Sequence, residues 1–398
     1  MFGDVMIKIE SLDHSGRGIA KLNNKVVFVN NALPGEIVEI RIISEKKNYI
    51  EAEVVKYIEK SKDRIDSICP YYSECGGCDI LHMNYKDQLK FKQEKIENII
   101  NKYLNTNIKI NPIVKCDNEF NYRNKVTFHV NNKIGFFKNK TNDIVKIENC
   151  PLVDKKINDS ISYLNKLDLN NIDQITCRIG MDKLMIIISS KKEIDIKPIQ
   201  DIADSIYIND ELVYGEKNIY NTIGEYKYII SPNSFFQINN NTCKKLYDKI
   251  KEETKDSKNI LDLYCGTGSI GIYISENKNV LGIEINESAI ENANTNKVIN
   301  NLENIDFICG DSGKKSTNLS FNPDTIIVDP PRSGLDSTTI KNLVSMNPNK
   351  IIYVSCDPMT LVRDLNELSN YYNINEITPF DMFPQTKHVE SLCILTKS

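Results

Sequence analysis

No stretch of the 398 residues approaches the ~18 consecutive apolar residues of a membrane-spanning helix, and Met1 to Glu10 lacks the basic segment and apolar core of an export signal. Both absences lead to the expectation of a cytosolic protein with no membrane partner. In that compartment the eleven cysteines have no use as a disulfide framework, so any that cluster read as metal or redox ligands. Tryptophan is absent, and so is an overall positive charge: the formal net charge is -4, which taken whole argues against a nucleic-acid partner. The rest is ordinary, 40% hydrophobic and 26% charged, with enough apolar material for buried cores in two or three domains.

The charge is unevenly spread. Residues 1–150 hold 24 Lys and Arg against 20 Asp and Glu, residues 151–398 hold 26 against 34, and within 101–150 the count is 9 against 4. A basic face on an acidic body suits an RNA enzyme. Lys, Asn and Ile recur along the whole chain, however, and solvated lysines with no partner would give the same counts.

Short alternating pieces, Val5 to Ile9, Lys25 to Val29, Glu36 to Ile43 and Ile50 to Ile58, are separated by turns at Ser15-Gly16-Arg17-Gly18 and Leu33-Pro34-Gly35. They predict a small antiparallel barrel over 1–58. Through D-H-S-G-R-G-I-A and A-L-P-G-E-I-V-E-I this stretch resembles the TRAM domain, an OB-like module of RNA-modifying enzymes; a protein-interaction module is the other use of such a barrel. Arg17, Lys21, Lys46 and Lys47 would there track RNA phosphates.

Cys69, Cys75 and Cys78 follow, with Gly76 and Gly77 letting the loop fold around whatever the sulfurs hold. Zinc and an iron–sulfur cluster both suit such thiolates, and spacing does not choose between them. Cys116, Cys177, Cys243, Cys309 and Cys393 read as ordinary small residues. A helical pattern from Met83 to Leu104 carries Leu89, Ile96, Ile99, Ile100 and Tyr103 on one stripe, a docking face for the catalytic domain, with Lys86, Lys90, Lys92 and Lys95 elsewhere. A strand-rich central domain then runs to about residue 231. Its Tyr122, Arg123, Lys125, Phe136 and Phe137 mix charge with rings, which suits RNA backbone contacts and base stacking as well as core packing.

From residue 232 to the end, strands and helices alternate, as in a doubly wound α/β sheet with ligands at the carboxyl ends of its strands. Asn259 to Gly271, N-I-L-D-L-Y-C-G-T-G-S-I-G, is a buried-type strand breaking into a glycine-rich turn at Gly266, Gly268 and Gly271. A second strand ends at Glu284, where a carboxylate could accept both ribose hydroxyls of NAD or of S-adenosylmethionine. A later strand, Asp324 to Val328, runs into Asp329-Pro330-Pro331-Arg332. That D-P-P resembles the class I methyltransferases, and Arg332 stands where amine methyltransferases usually carry a base-stacking aromatic, which disfavours an amine target. The strand Ile351 to Ser355 delivers Cys356, placed as a nucleophile, and F-P-Q-T-K-H-V-E sets Thr386, His388 and Glu390 at the start of an apolar run, with Glu390 as the candidate base.

These motifs in order, with F-F-Q-I-N, D-P-P-R-S-G-L and Y-V-S-C-D-P, resemble the RNA uracil-5-methyltransferase family, and within it the members that methylate 23S rRNA. The resemblance implies a Rossmann-like class I domain at 232–398, a central RNA-binding domain at 59–231 and the OB-like barrel at 1–58. It implies a [4Fe-4S] cluster on Cys69, Cys75, Cys78 and Cys150, cofactor contacts from Gln237, Tyr264, Gly266, Glu284 and Asp329 to S-adenosylmethionine, Cys356 as nucleophile and Glu390 as base. The expected partner is 23S rRNA, acted on by a monomer. A tRNA T-loop uridine is the alternative substrate, and a non-catalytic RNA-binding iron–sulfur protein the alternative of another class.

Overall fold

Alternation decides the first part of the chain. Along Lys25–Asn30 every second residue turns inward, so Val27 and Val29 are fully buried while their neighbours stay half-exposed. In the computed structural model, which describes residues 5–104, 108–316 and 319–398, the chain divides into two units, one holding residues 1–95, 137–143 and 383–387 and the other holding the remainder.

The first unit carries a six-stranded sheet in the order Val5–Lys8, Ile37–Glu45, Tyr49–Glu59, Lys25–Asn30, Gly18–Leu22, Ser11–Leu12. Its core is Ile7, Ile9, Ala20, Val27, Val29, Val38, Ile40, Ile50 and Ala52 with Ala32. The sheet is not wholly antiparallel as the alternation suggests. Lys25–Asn30 pairs parallel with Tyr49–Glu59, a crossover that alternation cannot reveal. Below it, the fully buried Glu36 accepts hydrogen bonds from Arg64 Nε at 2.5 Å and Nη2 at 2.8 Å, and from the Leu33 and Ser61 amides. Arg64 also lies over the Tyr57 ring at 4.2 Å.

The helix Tyr85–Tyr103 buries Ile96 and Ile100 in the core of the second unit, but not the whole expected stripe: Tyr103 is 42% exposed. Lys92, read as lying off the apolar stripe, is buried and donates to the Phe383 carbonyl at 2.9 Å. An amine at the end of a long apolar stem can be enclosed once a carbonyl meets it. No helix among the described residues is long and apolar enough to cross a membrane.

In the second unit, a sheet built on Lys125–Val130, Ile172–Gly180 and Lys183–Ser190 precedes the larger sheet that positions the site. We number the latter's strands β1 (Asn259–Leu263), β2 (Asn279–Glu284), β3 (Ile305–Cys309), β4 (Thr325–Val328), β5 (Lys350–Ser355), β6 (Tyr372–Phe380) and β7 (Glu390–Lys397). They lie in the order β3-β2-β1-β4-β5-β7-β6, with the short strand Lys109–Ile110 beyond β6. The first five are parallel, and β1 and β4 are buried on both faces. Strict alternation with helices stops at β6: β7 follows without an intervening helix and runs antiparallel between β5 and β6. This reversal brings the amino end of β7 to the carboxyl end of β5.

Replacing Arg64 with methionine strands the Glu36 carboxylate in the core. Breaking a buried pair from one side costs about 3–5 kcal/mol, so urea unfolding of the Arg64→Met protein should show a loss of that size, whereas an exposed control such as Lys46→Met should show none.

Candidate active site

Backbone geometry at the carboxyl end of β1 opens a space for ligand. Tyr264 takes φ 62°, Gly266 φ 54° and Gly268 φ 75°, the last capping the short helix Ser269–Ile274. Only glycine fits at 268, because a Cβ there would stand 2.4 Å from the Phe307 ring. The turn is pinned from three sides. The Gly271 amide donates to Asp262 Oδ2 at 3.1 Å, the Gly266 amide to Glu284 Oε2 at 3.2 Å, and Asn296 Nδ2 to the Thr267 carbonyl at 3.0 Å. Glu284 ends β2 beside this turn, its other oxygen accepting from the Asn286 amide at 2.9 Å. The Tyr264 hydroxyl lies 3.2 Å from Thr339 Oγ1.

Gln237 lies in the loop before the helix Asn240–Glu253. Its carbonyl accepts from Asn124 Nδ2 at 2.9 Å, and its half-buried side-chain amide makes no hydrogen bond among the described residues. The loop is fixed by Arg178, whose Nη1 donates to the carbonyls of Ser231 at 2.8 Å, Pro232 at 3.2 Å and Ser234 at 2.7 Å.

The reactive groups gather around β5 and β7. Ser355 pairs with Ser391 in the antiparallel register, so Cys356, which follows Ser355, and Glu390, which precedes Ser391, come to the same end of the two strands, near enough for the Glu390 charge to act on the thiol. Cys356 lies between β5 and the helix Pro358–Leu368, whose cap is Asp357. Asp329 follows β4, the parallel neighbour of β5. Among the described residues the thiol of Cys356 and the carboxylates of Glu390 and Asp329 make no side-chain hydrogen bond.

Their electrostatics follow from this crowding. Burial, then Asp329, push Glu390 up to about 8, with Arg332 opposing. Burial alone raises Asp329 to about 7. Burial, Glu390 and Asp329 together raise the Cys356 thiol to about 11, again against Arg332. Asp262, buried and with Oδ1 unpaired, is raised to about 8 by burial and Asp329. The site is thus rich in negative groups that would ionise if a cation entered.

Sequence reasoning missed Arg332 as a positive group: it registered only as the absence of an aromatic. It also missed the clamp on Arg332's loop. The buried Asp364 accepts from the Leu335 amide at 2.8 Å, Tyr353 Oη at 2.7 Å and Arg363 Nε at 2.8 Å, while Arg363 Nη2 donates to the carbonyls of Ser333 and Leu335 at 2.9 Å. An Asp beside an Arg one residue apart on a helix carries no pattern that would have announced this.

The structure does not gather the candidate metal ligands into a set of three or more among the described residues. All eleven cysteines are free thiols, with Cys69, Cys75, Cys78 and Cys150 half-buried. Burial raises the Cys69 thiol, while the backbone amides of Tyr71 and Tyr72 favour its ionised form, and the Gly77 amide donates to Cys75 Sγ at 3.4 Å. Amides turned toward sulfur are what metal-bound thiolates require, so the chemistry of the donor set fits a metal or cluster. Among the described residues no group of three or more Cys, His, Asp or Glu is gathered at metal-holding distance. Thr386, considered beside Glu390, instead donates to the Phe383 carbonyl at 2.8 Å. Arg17, expected to track phosphates, is held by Asp13 at 2.7 Å and Glu51 at 3.2 Å and stacks over Phe28 at 4.4 Å, so its charge is already answered.

The profile of the tRNA (uracil-5-)-methyltransferase family matches residues 182–398, and that of the TRAM domain matches residues 4–55. An uncharacterized RNA methyltransferase of Clostridium acetobutylicum is 33% identical over 99% of this chain and 97% of its own length, and one of Bacillus cereus is 32% identical over 98% and 96%. Among solved structures, Pyrococcus abyssi tRNA (uracil-54, C5)-methyltransferase in complex with S-adenosyl-L-homocysteine superposes with a TM-score of 0.82 at 29% identity, over 98% of this chain and all of that one.

The raised carboxyl groups make a prediction with a definite sign. Glu390 holds its proton to about pH 8 in the fold but only to about 4.3 when unfolded, so its ionisation erodes stability as pH climbs between those values. Glu390→Gln should therefore melt above the wild type at pH 8.5, by the order of a few kcal/mol, and the gap should close toward pH 5. Melting curves at both pH values test it; a gap independent of pH would refute the linkage.

Proposed function

The chain belongs to the tRNA (uracil-5-)-methyltransferase family, and from that premise we propose that it methylates carbon 5 of a uridine in 23S rRNA through a covalent adduct on Cys356. At the level of reaction class it is an S-adenosylmethionine-dependent RNA uracil-5-methyltransferase with a TRAM domain. The observation that supports the adduct is the nearness of Cys356 and Glu390 at the β5–β7 junction, each coupled electrostatically to Asp329 and neither side chain hydrogen-bonded among the described residues.

Carbon 5 of uracil is too weak a nucleophile to attack a methyl group unaided. When bound, S-adenosylmethionine supplies an electrophilic sulfonium methyl, and Gln237, Tyr264, Gly266, Glu284 and Asp329 would hold it at the glycine turn. The Cys356 thiolate adds to carbon 6, pushing an electron pair through to the carbon 4 oxygen as an enolate, which makes carbon 5 nucleophilic. After methyl transfer, carbon 5 bears both the methyl group and its original proton. Glu390 removes that proton, the electrons re-form the 5,6 double bond, and the thiolate departs. A carboxyl group poised near neutrality suits such a transfer. The thiol must first give its proton to solvent, which a bound positive charge would favour by drawing its pKa down. Because the target base is stacked in folded RNA, it must be turned out into the pocket.

The rRNA reading rests on the resemblance of the barrel and the cysteine set to rRNA enzymes. The tRNA T-loop is the second reading, favoured by the full-length likeness to a tRNA enzyme. Mass spectrometry of both RNA classes from a deletion strain separates them: loss of 5-methyluridine from rRNA alone supports the first, from tRNA alone the second. For the chemistry, Cys356→Ala should bind RNA without forming a covalent complex, whereas Glu390→Gln should methylate once and stay attached, turning over about a hundredfold to ten-thousandfold more slowly. A denaturing gel reads this as a retarded band for Glu390→Gln only; wild-type turnover by that variant would sink the assignment of the base.

For Cys69, Cys75, Cys78 and Cys150 we infer a [4Fe-4S] cluster that braces the RNA-binding part, since the methyl transfer needs no electron. Protein purified without oxygen should be brown with a broad visible absorption; a colourless protein with stoichiometric zinc would overturn this.

A further inference from the structure

The face of the sheet formed by Lys125–Val130 and Ile172–Gly180 carries charge that the protein does not answer. In their antiparallel register Lys125 faces Arg178, Thr127 faces Thr176 and His129 faces Gln174. The opposite face is apolar core, with Val126, Phe128 and Cys177 buried. Facing residues of like charge repel, and here both are largely withdrawn from water: Arg178 is 2% exposed and Lys125 half-buried. Among the described residues neither forms an ion pair, and Lys125 makes no hydrogen bond. Among the described residues Arg178 donates from Nη1 alone, to the Ser231–Ser234 loop, and Nε and Nη2 make no hydrogen bond. Burial and the neighbouring guanidinium hold Lys125 down at about 8, and burial holds Arg178 at about 10. Natural folds rarely bury two cations side by side unless an anion completes them.

We propose that Lys125 and Arg178 form a binding site for one phosphodiester of the substrate RNA, next to the target nucleotide. The location supports this source of phosphate. Asn124, adjacent to Lys125, donates its amide to the Ile238 carbonyl at 3.0 Å and its side chain to the Gln237 carbonyl at 2.9 Å, so the pair borders the loop that leads to the cofactor turn. The Thr127 and Thr176 hydroxyls, 2.9 Å apart, continue the row of polar groups along the same face. A phosphate seated here would fix the backbone of a nucleotide while its base turned toward Cys356.

This rests on the uridine-methylation reading, and its test is arranged to fail separately. Arg178 also clamps a loop, so Lys125→Gln is the informative variant. Binding of a labelled, unmodified tRNA transcript and of an unmodified 23S rRNA fragment is measured over a range of KCl concentrations, with methyl transfer to each followed in parallel. Losing one phosphate contact should make the slope of log K against log salt shallower by about 0.7, which is about fivefold in affinity at 0.1 M salt. Lys125→Arg should restore the slope, and the free Lys125→Gln protein should melt no lower than the wild type, because a repulsion has been removed. An unchanged slope overturns the proposal even if methylation proceeds. An unchanged slope with a raised KM for S-adenosylmethionine would assign the anion to the cofactor's carboxylate instead. Equal protection of wild type and Lys125→Gln against melting by inorganic phosphate would also count against a built site. Absence of methyl transfer by the wild type to either RNA would defeat the uridine reading, whatever the slope.

Discussion

The crowding of acidic side chains at the carboxyl edge of one sheet, where burial makes Asp262, Asp329 and Glu390 hold their protons toward neutrality, is the constraint on which the rest of this sheet edge depends. Asp262, Glu284, Asp329 and Glu390 come from four different strands or strand ends; backbone amides meet Asp262 and Glu284, while Arg332 opposes the rise of Glu390. Such an arrangement is costly to fold and pays only when a cation is bound. A sulfonium is such a cation. A bound cation of that kind would relieve the cost of assembling these carboxyl groups and, through the same field, would lower the pKa of a thiol beside them.

The scaffold around this edge is correspondingly stiff. The glycine turn is tied to β1, to β2 and to the helix Glu287–Ile299 by separate hydrogen bonds, and the loop bearing Arg332 is held by Asp364 and Arg363. Gly334 illustrates how little slack remains, since a Cβ there would come within 2.6 Å of both Arg363 and Asp364. Groups repelling one another can be kept at working distance only by a frame that does not yield, and a charge-assisted network supplies that frame at modest cost in side-chain freedom.

How much of this could be read from the sequence follows from how local each signal is. The strands ending at Leu263, Glu284, Val328 and Ser355 announce themselves as short apolar runs, and the turn after Leu263 as glycines, because burial on both faces and positive φ each restrict the residue types allowed. The barrel strands were legible from alternation, yet the parallel pairing within it was not, since side-chain period is the same in either direction. The reversal of β7 was hidden for the same reason. Lys92 and Arg178 were unreadable as buried groups because their carbonyl partners lie far along the chain. Arg332 was visible but interpreted only by what it was not. Its role depends on the proximity of Cys356 and Glu390, which no spacing in the sequence expresses.

The connection from β6 to β7 has a bearing on how this enzyme can be dissected. Residues 383–387 belong to the first unit, although the strands on either side belong to the second. Within the first unit Gln88 holds Gln385 through paired amide contacts of 2.7 and 3.0 Å, and Lys92 and Lys95 hold the Phe383 and Lys387 carbonyls at 2.9 Å. The stretch leading into Glu390 is thus supported by residues near position 90, on a part of the chain that a modular view would treat as a detachable appendage. A truncated protein beginning after residue 95 would keep Cys356, Glu390 and Asp329 and lose the supports of residues 383–387. For engineering purposes, a boundary drawn by sequence position alone would cut the first unit, because residues 383–387 belong to it.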